Sequence, residues 1–181
     1  MTETGQIPDA DTIANRLAIQ DVLNKHSRGV DRADGELLKT AYWPDAEVAY
    51  GAYNGPAHPF CESLPQGIKK YAATQHRITN VTIDLNDPDA VAESYVTAYH
   101  YAAVPEGNDT EMTYIGRYID HMQRRGNVWK IMFRRVVMDW NQNAQSTAIL
   151  EGPPFAGLAR GARAPEDPLY AMHKKIIGAT E

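Results

Sequence analysis

The sequence contains one cysteine and no long apolar segment. Cys61 alone among 181 residues excludes an internal disulfide and a cysteine-built zinc site, and its Pro/His/Phe surroundings argue against a nucleophilic role. The longest apolar runs fall far short of the roughly 20 residues that cross a bilayer. No charged-then-apolar leader opens the chain. These absences predict a soluble, cytoplasmic protein that does not insert into membranes.

Basic residues and cofactor motifs are also scarce. The chain has 18 Lys and Arg against 23 Asp and Glu, a formal net charge of -5, whereas nucleic-acid partners call for a basic surface. It contains no Gly-rich phosphate loop, no Gly-x-Ser-x-Gly elbow and no His-Glu-x-x-His spacing. The sequence therefore predicts no nucleic-acid partner, no nucleotide cofactor, no serine nucleophile and no metal ion.

Tyrosine is the aromatic residue that the chain has in excess. Ten tyrosines stand against three phenylalanines, and 43% of the residues are hydrophobic, which is enough for a core in one domain. Tyrosine combines apolar bulk with a hydrogen-bonding hydroxyl. That combination suits a pocket for a partly polar aromatic ligand, and it suits half-buried strands equally well.

The first third of the chain shows helical periodicity. Asp11 or Thr12 is expected to cap the first helix, after a flexible tail over residues 1–11. Pro44 should end the second helix, because proline cannot continue the hydrogen-bond ladder. The predicted elements are helices at 13–30 and 35–42, a short strand at 47–50, a loop or lid at 51–65 and a helix at 66–74.

From residue 75 onward the apolar period changes from helical to alternating, which predicts a sheet. Strands are expected at 76–85, 90–103, 112–124 and 128–141, and turns at 86–89, 105–109 and 125–127. Because these turns are short, neighbouring strands should pair antiparallel. Helices followed by such a meander predict an α+β domain over 12–145, in which a curved sheet wraps around the N-terminal helices as a cone. Residues 146–181, with a helix at 167–177, are expected to pack on the domain or on a neighbouring subunit.

Asp31 follows directly on the apolar stripe of the first helix. A carboxylate carried towards a core is costly unless it is paired, and His76, at the start of the first long strand, is the candidate partner. An imidazole whose far nitrogen is held by a carboxylate is a tuned general base. The alternative, which periodicity alone favours, is that Asp31 caps the helix beginning at Gly35 and that His76 is a structural histidine.

Arg134 lies within an apolar stripe of the last predicted strand. Strict alternation places it on one face with Val128, Met132, Val136, Met138 and Trp140. An inward arginine needs an anionic or carbonyl partner, which Asp31 or a charge on a substrate would supply. The alternative turns Arg134 outward and places Phe133 and Arg135 on the pocket side, and spacing alone does not decide between the two.

Further polar and aromatic side chains are candidates for the pocket wall. His26, one turn before the end of the first helix, is either a second polar group of the cavity or a core histidine. The other candidates for substrate binding are Val48, Tyr50, Tyr53, Tyr99, Tyr101, Met138 and Trp140. Each tyrosine also fits a packing role.

Several short motifs, taken in order, resemble a known family. They are AIQD (18–21), RGVD (28–31), YWPDA (42–46), TQHRITN (74–80), NVWK (127–130) and RRVVMDW (134–140). Together they span about residues 12–141 and are similar to the SnoaL-like branch of the nuclear-transport-factor-2-like superfamily. Within it, they resemble the group of scytalone dehydratase, hexachlorocyclohexane dehydrochlorinase and diarylpropane lyase.

The resemblance implies a cone-shaped α+β barrel, often trimeric, that performs elimination without a cofactor. It implies that Asp31 and His76 are the catalytic dyad and that Arg134 faces the pocket, with Val48 and Tyr50 on the first strand beside it.

Two departures from the group bear on the substrate. His26 stands where the dehydrochlorinase has a lysine, which argues against dechlorination. The lid at 51–71 and the chain after Asn141 do not match the group, so the identity of the substrate does not carry over.

The favoured hypothesis is a dehydratase-type lyase that acts on a hydroxylated aromatic or polycyclic small molecule through Asp31 and His76. Arg134, with Tyr50 or His26, would assist the leaving group. The alternatives are a lyase that releases formaldehyde from lignin-derived diarylpropanes, a ketosteroid-type isomerase, and a non-catalytic binding module. The expected partners are a small aromatic molecule and further copies of the chain, as a trimer in preference to a dimer.

Overall fold

The protein is described by a computed structural model covering residues 5–104 and 107–178. The predicted tail and the turn at 105–109 therefore lie partly outside the described residues, at 1–4 and 105–106. Within the described residues, four helices and six strands follow one another. In order they are α1 (Ala10–Asp31), α2 (Gly35–Thr40), β1 (Tyr42–Ala49), β2 (Asn54–Pro56), α3 (Ala57–Ile68), β3 (Ala73–Asn86), β4 (Asp89–Ala102), β5 (Thr110–Arg125), β6 (Val128–Gln145) and α4 (Pro168–Ile176).

Helix α1 begins three residues earlier than predicted. The side chain of Asp9, rather than that of Asp11 or Thr12, caps the helix by accepting a hydrogen bond from the Thr12 backbone N–H at 2.7 Å. Its buried apolar residues, among them Ile19 and Leu23, recur at helical spacing and face the sheet. The last residue of the helix is Asp31.

The six strands form one curved sheet in the order β2-β1-β6-β5-β4-β3. Strands β3 to β6 pair antiparallel with their sequence neighbours, as predicted from the short turns between them. Strand β1 joins β6 in parallel and β2 in antiparallel fashion, so the sheet is mixed. The α+β fold class predicted from the sequence is thereby confirmed.

The segment between residues 51 and 74 differs from its prediction. Helix α3 occupies Ala57–Ile68, where a loop was expected, and strand β3 already begins at Ala73, where a helix was expected. Apolar residues at the helical spacing 57, 60, 61, 64 and 68 turn one side of α3 towards the core. The prolines at 56, 59 and 65 obscure that spacing in the sequence, because proline usually marks a loop or a helix end.

The core lies between the three N-terminal helices and the concave face of the sheet. Strand β4 shows the alternation that defines this face, since its buried side chains are at even positions from Ala90 to His100. One end of the resulting cone is filled by apolar side chains. The other end, near Asp31, is covered by residues of the C-terminal extension. No helix in the described part of the chain is long and apolar enough to cross a membrane.

Candidate active site

Asp31 and His76 are in direct contact. The Asp31 Oδ1 oxygen accepts a hydrogen bond from His76 Nδ1 at 2.7 Å, and Oδ2 accepts one from the His76 backbone N–H at 2.9 Å. Because a carboxylate can only accept, Nδ1 carries a proton, and in the neutral imidazole Nε2 presents its lone pair. No hydrogen bond to Nε2 occurs within residues 5–104 and 107–178. The imidazole is thus held in the tautomer and orientation of a proton acceptor.

Local structure explains why these two residues meet. Asp34, and not Asp31, caps helix α2 by accepting from the Leu37 N–H at 2.9 Å, so the alternative role for Asp31 is wrong. Helix α1 packs along β3, which brings its last residue to the start of that strand. His76 is the fourth residue of β3, and its side chain follows Thr74 on the concave face.

His26 is buried deeper in the cone. Its Nε2 lies 3.2 Å from the Tyr50 hydroxyl, and its ring meets the rings of Tyr42 and Tyr118 edge-on. Burial, together with the charges of Arg134 and His76, lowers the pKa of His26 well below its ordinary value. His26 is therefore neutral at physiological pH and supplies polarity without charge.

Arg134 points inward, and its partner is Asp120 rather than Asp31. The guanidinium donates from Nε to Oδ1 at 2.6 Å and from Nη2 to Oδ2 at 2.7 Å, with side chains 1% and 0% exposed. Burial raises the pKa of Asp120, and the adjacent guanidinium opposes that rise. Arg134 also stacks over the Tyr118 ring at 4.2 Å. This ion pair is therefore a buried structural element next to the candidate site.

The set of β6 residues predicted to share one face with Arg134 is wrong. Register shifts in the β5–β6 ladder fall at Met132 and Asp139, where β6 carries one extra residue each time. Each bulge reverses the side-chain parity, so Arg134 shares the concave face with Ile131 and not with Met132. Strict alternation could not foresee either bulge.

A cavity of about 630 Å³ adjoins the Asp31–His76 pair. Its floor includes a row of three paired residues on neighbouring strands, Thr74, His100 and Met112, next to the row that contains His76. A smaller cavity of about 340 Å³ also adjoins the pair and is lined by His76 itself. Both cavities are lined by Asp31, Arg32, Thr74 and Gln75.

The other predicted wall residues fall into three groups. Tyr99 and Tyr101 line the larger cavity. Val48 and Tyr50 are in the cone interior, and Tyr53 packs against Phe60 with its hydroxyl bonded to the Pro56 carbonyl at 2.9 Å. Met138 and Trp140 are 63% and 59% exposed and line neither cavity.

Sequence reasoning missed His100 as part of the site. Its ring lies 5.5 Å from that of His76 and 4.7 Å from that of Tyr71, measured between centroids. Burial and the neighbouring His76 lower the pKa of His100. The sequence feature that could have identified it is alternation, because His100 is at one of the even positions of β4, which are the buried ones.

A metal centre was not expected from the sequence. Among the described residues, no group of three or more His, Cys, Asp or Glu side chains is placed to hold a metal ion.

Comparison with family models matches residues 11–135 to the SnoaL-like domain. The chain belongs to this family. Hexachlorocyclohexane dehydrochlorinase 1 of Sphingobium indicum is 29% identical over 126 residues, which cover 68% of this chain and 80% of the relative. The match ends before the last part of β6, so the C-terminal extension lies outside the family model.

Solved structures show the same fold for this SnoaL-like protein. A type 2 hexachlorocyclohexane dehydrochlorinase, LinA, superposes with a TM-score of 0.69 at 23% identity, covering 81% of this chain and 99% of that one. A protein from Novosphingobium aromaticivorans, provisionally named a scytalone dehydratase, superposes with a TM-score of 0.61 at 22% identity. That alignment covers 82% of this chain and 99% of that one. The nuclear-transport-factor-2-like architecture expected from the sequence is confirmed.

Proposed function

We propose that this protein is a cofactor-independent lyase that eliminates water from a hydroxylated aromatic small molecule. The observation that carries the proposal is the Asp31–His76 pair, in which both carboxylate oxygens hold one histidine. This arrangement fixes the imidazole and stabilises the imidazolium that forms when Nε2 accepts a proton. The family relationship to a dehydrochlorinase, whose name denotes an elimination, supports the lyase class.

The proposed reaction breaks two bonds and forms one double bond. His76 Nε2 removes a proton from a carbon next to an activating carbonyl or aryl group, and the electron pair of that C–H bond becomes the new C=C bond. The C–O bond on the adjacent carbon breaks as its electrons leave on oxygen. That oxygen takes a proton from the imidazolium and departs as water, so the dyad returns to its starting state.

The larger cavity is the proposed substrate chamber. Its volume of about 630 Å³ falls within the range of small-molecule pockets, roughly 300–1,000 Å³. Met112 and Leu150 offer apolar contacts to a ring system, and Tyr99 and Tyr101 border the same cavity. Successive residues on one face of a strand are about 7 Å apart, so a ligand on the floor at Thr74 can extend to His76.

Tyr50 is the candidate hydrogen-bond donor to the leaving oxygen, whereas the proton that this oxygen takes up comes from the His76 imidazolium. Burial raises the pKa of Tyr50, so its hydroxyl remains protonated and able to donate. The hydroxyl lies against His26, whose neutral ring can relay hydrogen bonding without adding charge. Arg134 acts indirectly in this proposal, because Asp120 already occupies two of its donors.

Self-assembly into a homo-oligomer is part of the proposal. The convex face of the sheet carries apolar side chains that no element within the described residues covers. They include Tyr95, Ile115, Ile119, Phe133, Val137 and Trp140. A second copy of the chain is the favoured occupant, and the resemblance to trimeric family members favours three copies.

The test is a panel of hydroxylated aromatic dimers and polyketide-like phenols, analysed by mass spectrometry for loss of water. His76→Ala and Asp31→Asn should lower the rate by about 10²- to 10⁴-fold, which is the usual contribution of a positioned base. Both variants should melt within a few degrees of the wild type. Unchanged turnover in both would contradict the dyad.

A second His–Asp pair provides the matched control. His121 Nε2 lies 2.7 Å from Asp89 Oδ1, but both side chains are about 41% exposed on the convex face. His121→Ala should leave turnover unchanged. Release of formaldehyde instead of water would identify a carbon–carbon lyase, and ligand binding without any product would identify a binding module.

A further inference from the structure

Arg163, in the C-terminal extension, binds both chain segments that carry the Asp31–His76 pair. Its Nη1 donates to the Asp31 carbonyl oxygen at 2.5 Å and to Thr74 Oγ1 at 2.9 Å. Asp31 is the last residue of α1, and Thr74 precedes His76 by two residues on the same face of β3. One guanidinium thus connects the two segments from which the dyad side chains extend.

The other terminal nitrogen of Arg163 holds a third segment. Nη2 donates to the Tyr71 carbonyl oxygen at 2.8 Å and to the Ile68 carbonyl oxygen at 3.3 Å. The last carbonyls of a helix lack partners within the helix, and Arg163 binds two of them. The carbonyl of Asp31 ends α1, and that of Ile68 ends α3 and also accepts from the Tyr71 backbone N–H at 3.0 Å. A planar guanidinium with five N–H groups can serve several acceptors in fixed directions, which an ammonium cannot do equally well.

We infer that Arg163 is a positioning residue that sets the separation of Asp31 and His76. Its catalytic consequence rests on the proposed function, but the positioning itself does not. The Asp31–His76 contact closes over a 45-residue separation in sequence, and Arg163 is bonded to the backbone of one partner and two residues from the other. Displacing either segment by about 1 Å would lengthen the contact beyond hydrogen-bond range.

The rest of the extension is anchored independently of Arg163. The Ala164 N–H donates to the Arg32 carbonyl oxygen at 2.7 Å, and Arg32 forms an ion pair with Asp167 at 3.2 Å. The Tyr170 hydroxyl donates to Asp34 Oδ2 at 2.7 Å. Replacement of the Arg163 side chain should therefore leave the extension docked, which separates positioning from folding.

The experiment is proton NMR of the full-length, unliganded protein. The His76 Nδ1–H proton, bonded to a carboxylate at 2.7 Å, should give a downfield imidazole signal that disappears in Asp31→Asn. Arg163→Met should remove or broaden this signal at a temperature well below its melting point, and Arg163→Lys should restore it in part. Arg160→Met is the matched control, since Arg160 makes no hydrogen bond in the described part of the chain. Its signal should match the wild type.

Turnover of a substrate found in the panel gives the second measurement. Arg163→Met should lower kcat by about 10- to 100-fold with KM changed less than about threefold, because misplacement of a catalytic group affects chemistry more than binding. An unchanged NMR signal in Arg163→Met overturns the inference. If that variant does not fold, a signal and a kcat at wild-type values in Arg163→Lys overturn it. The NMR result stands even if no substrate is found, so its failure is distinguishable from failure of the proposed function.

Discussion

At the scale of single residues, the energetics of the site depend on the buried Arg134–Asp120 pair. Two parallel N–H···O bonds compensate the guanidinium and the carboxylate for the loss of water. Removing one partner leaves the other charge buried and unpaired, which is far more costly than the pair is stabilising.

Asp120→Asn should therefore destabilise the protein by about 3–5 kcal/mol, since a neutral amide cannot compensate the Arg134 charge. Urea denaturation followed by tryptophan fluorescence measures the free energy of unfolding. Asp45→Asn is the control: Asp45 also binds an arginine through two bonds, at 2.8 and 2.9 Å, but this pair with Arg125 is exposed. Its midpoint should stay near that of the wild type. Equal midpoints for both variants would show that Arg134 finds another partner.

The residues of the site differ in how far the sequence could predict them. The motif around Asp31 and His76 suggested their pairing through resemblance, whereas periodicity favoured a helix cap. Asp120 was missed as the partner of Arg134 because the two meet only through the β5–β6 register. Arg163 was beyond prediction, since its contact with Asp31 spans 132 positions and follows no period.

At the scale of elements, alternation and turn chemistry predicted the meander well and proline-rich helices poorly. Strands β3 to β6 have turns that leave few other pairings. Helix α3 was taken for a loop because three prolines outweighed a helical stripe that includes Phe60 and Ile68. A proline is compatible with the first turn of a helix, where its missing N–H would have no partner.

The bulges of β6 show why an element can be predicted while its faces cannot. A single extra residue at Met132 exchanges the concave and convex sides of the strand until the second bulge, at Asp139, exchanges them back. The family resemblance correctly implied that Arg134 points inward. It gave no indication that Met138 and Trp140 would be exposed. Placement of side chains on a long strand therefore requires its pairing register.

At the scale of the whole molecule, the convex face of the sheet determines whether the protein is a monomer or an oligomer. Burial of apolar surface between copies would be favourable, at roughly 25 cal/mol per Å². We expect a mass of about three times 20.1 kDa by light scattering. Trp140→Lys should weaken assembly at least tenfold, because Trp140 is a large apolar side chain of this face and is 59% exposed.

The matched control for assembly is Ile13→Lys. Ile13 is similarly apolar and 46% exposed, but it lies on α1, away from the convex face. This variant should retain the mass of the wild type. A wild-type protein that remains at 20.1 kDa over all accessible concentrations would contradict the assembly, and so would a Trp140→Lys variant with unchanged association.

The pH dependence of stability belongs to the same scale, because it reports on the buried histidines of the cone. Burial lowers the pKa of both His26 and His100, whereas the unfolded chain binds protons near the ordinary histidine value of about 6.5. Below that pH the unfolded state carries more protons than the native state. The free energy of unfolding must then decrease as the pH falls, by up to about 1.4 kcal/mol per pH unit for each histidine.

His26→Gln should reduce this slope between pH 6.5 and 5.5, because glutamine does not titrate and can still bond to Tyr50. Urea denaturation of both proteins at pH 7.5, 6.5 and 5.5 measures the slope, at one fixed protein concentration because assembly would add its own free energy. The carboxylates whose pKa is lowered, such as Asp87 and Asp89, lose their stabilising effect only as the pH falls towards 3.8 and below. These carboxylates therefore do not contribute to the slope of stability against pH between pH 6.5 and 5.5. An identical slope in the variant would mean that His26 is protonated in the native protein. That result would contradict the assignment of a neutral His26 ring beside Tyr50.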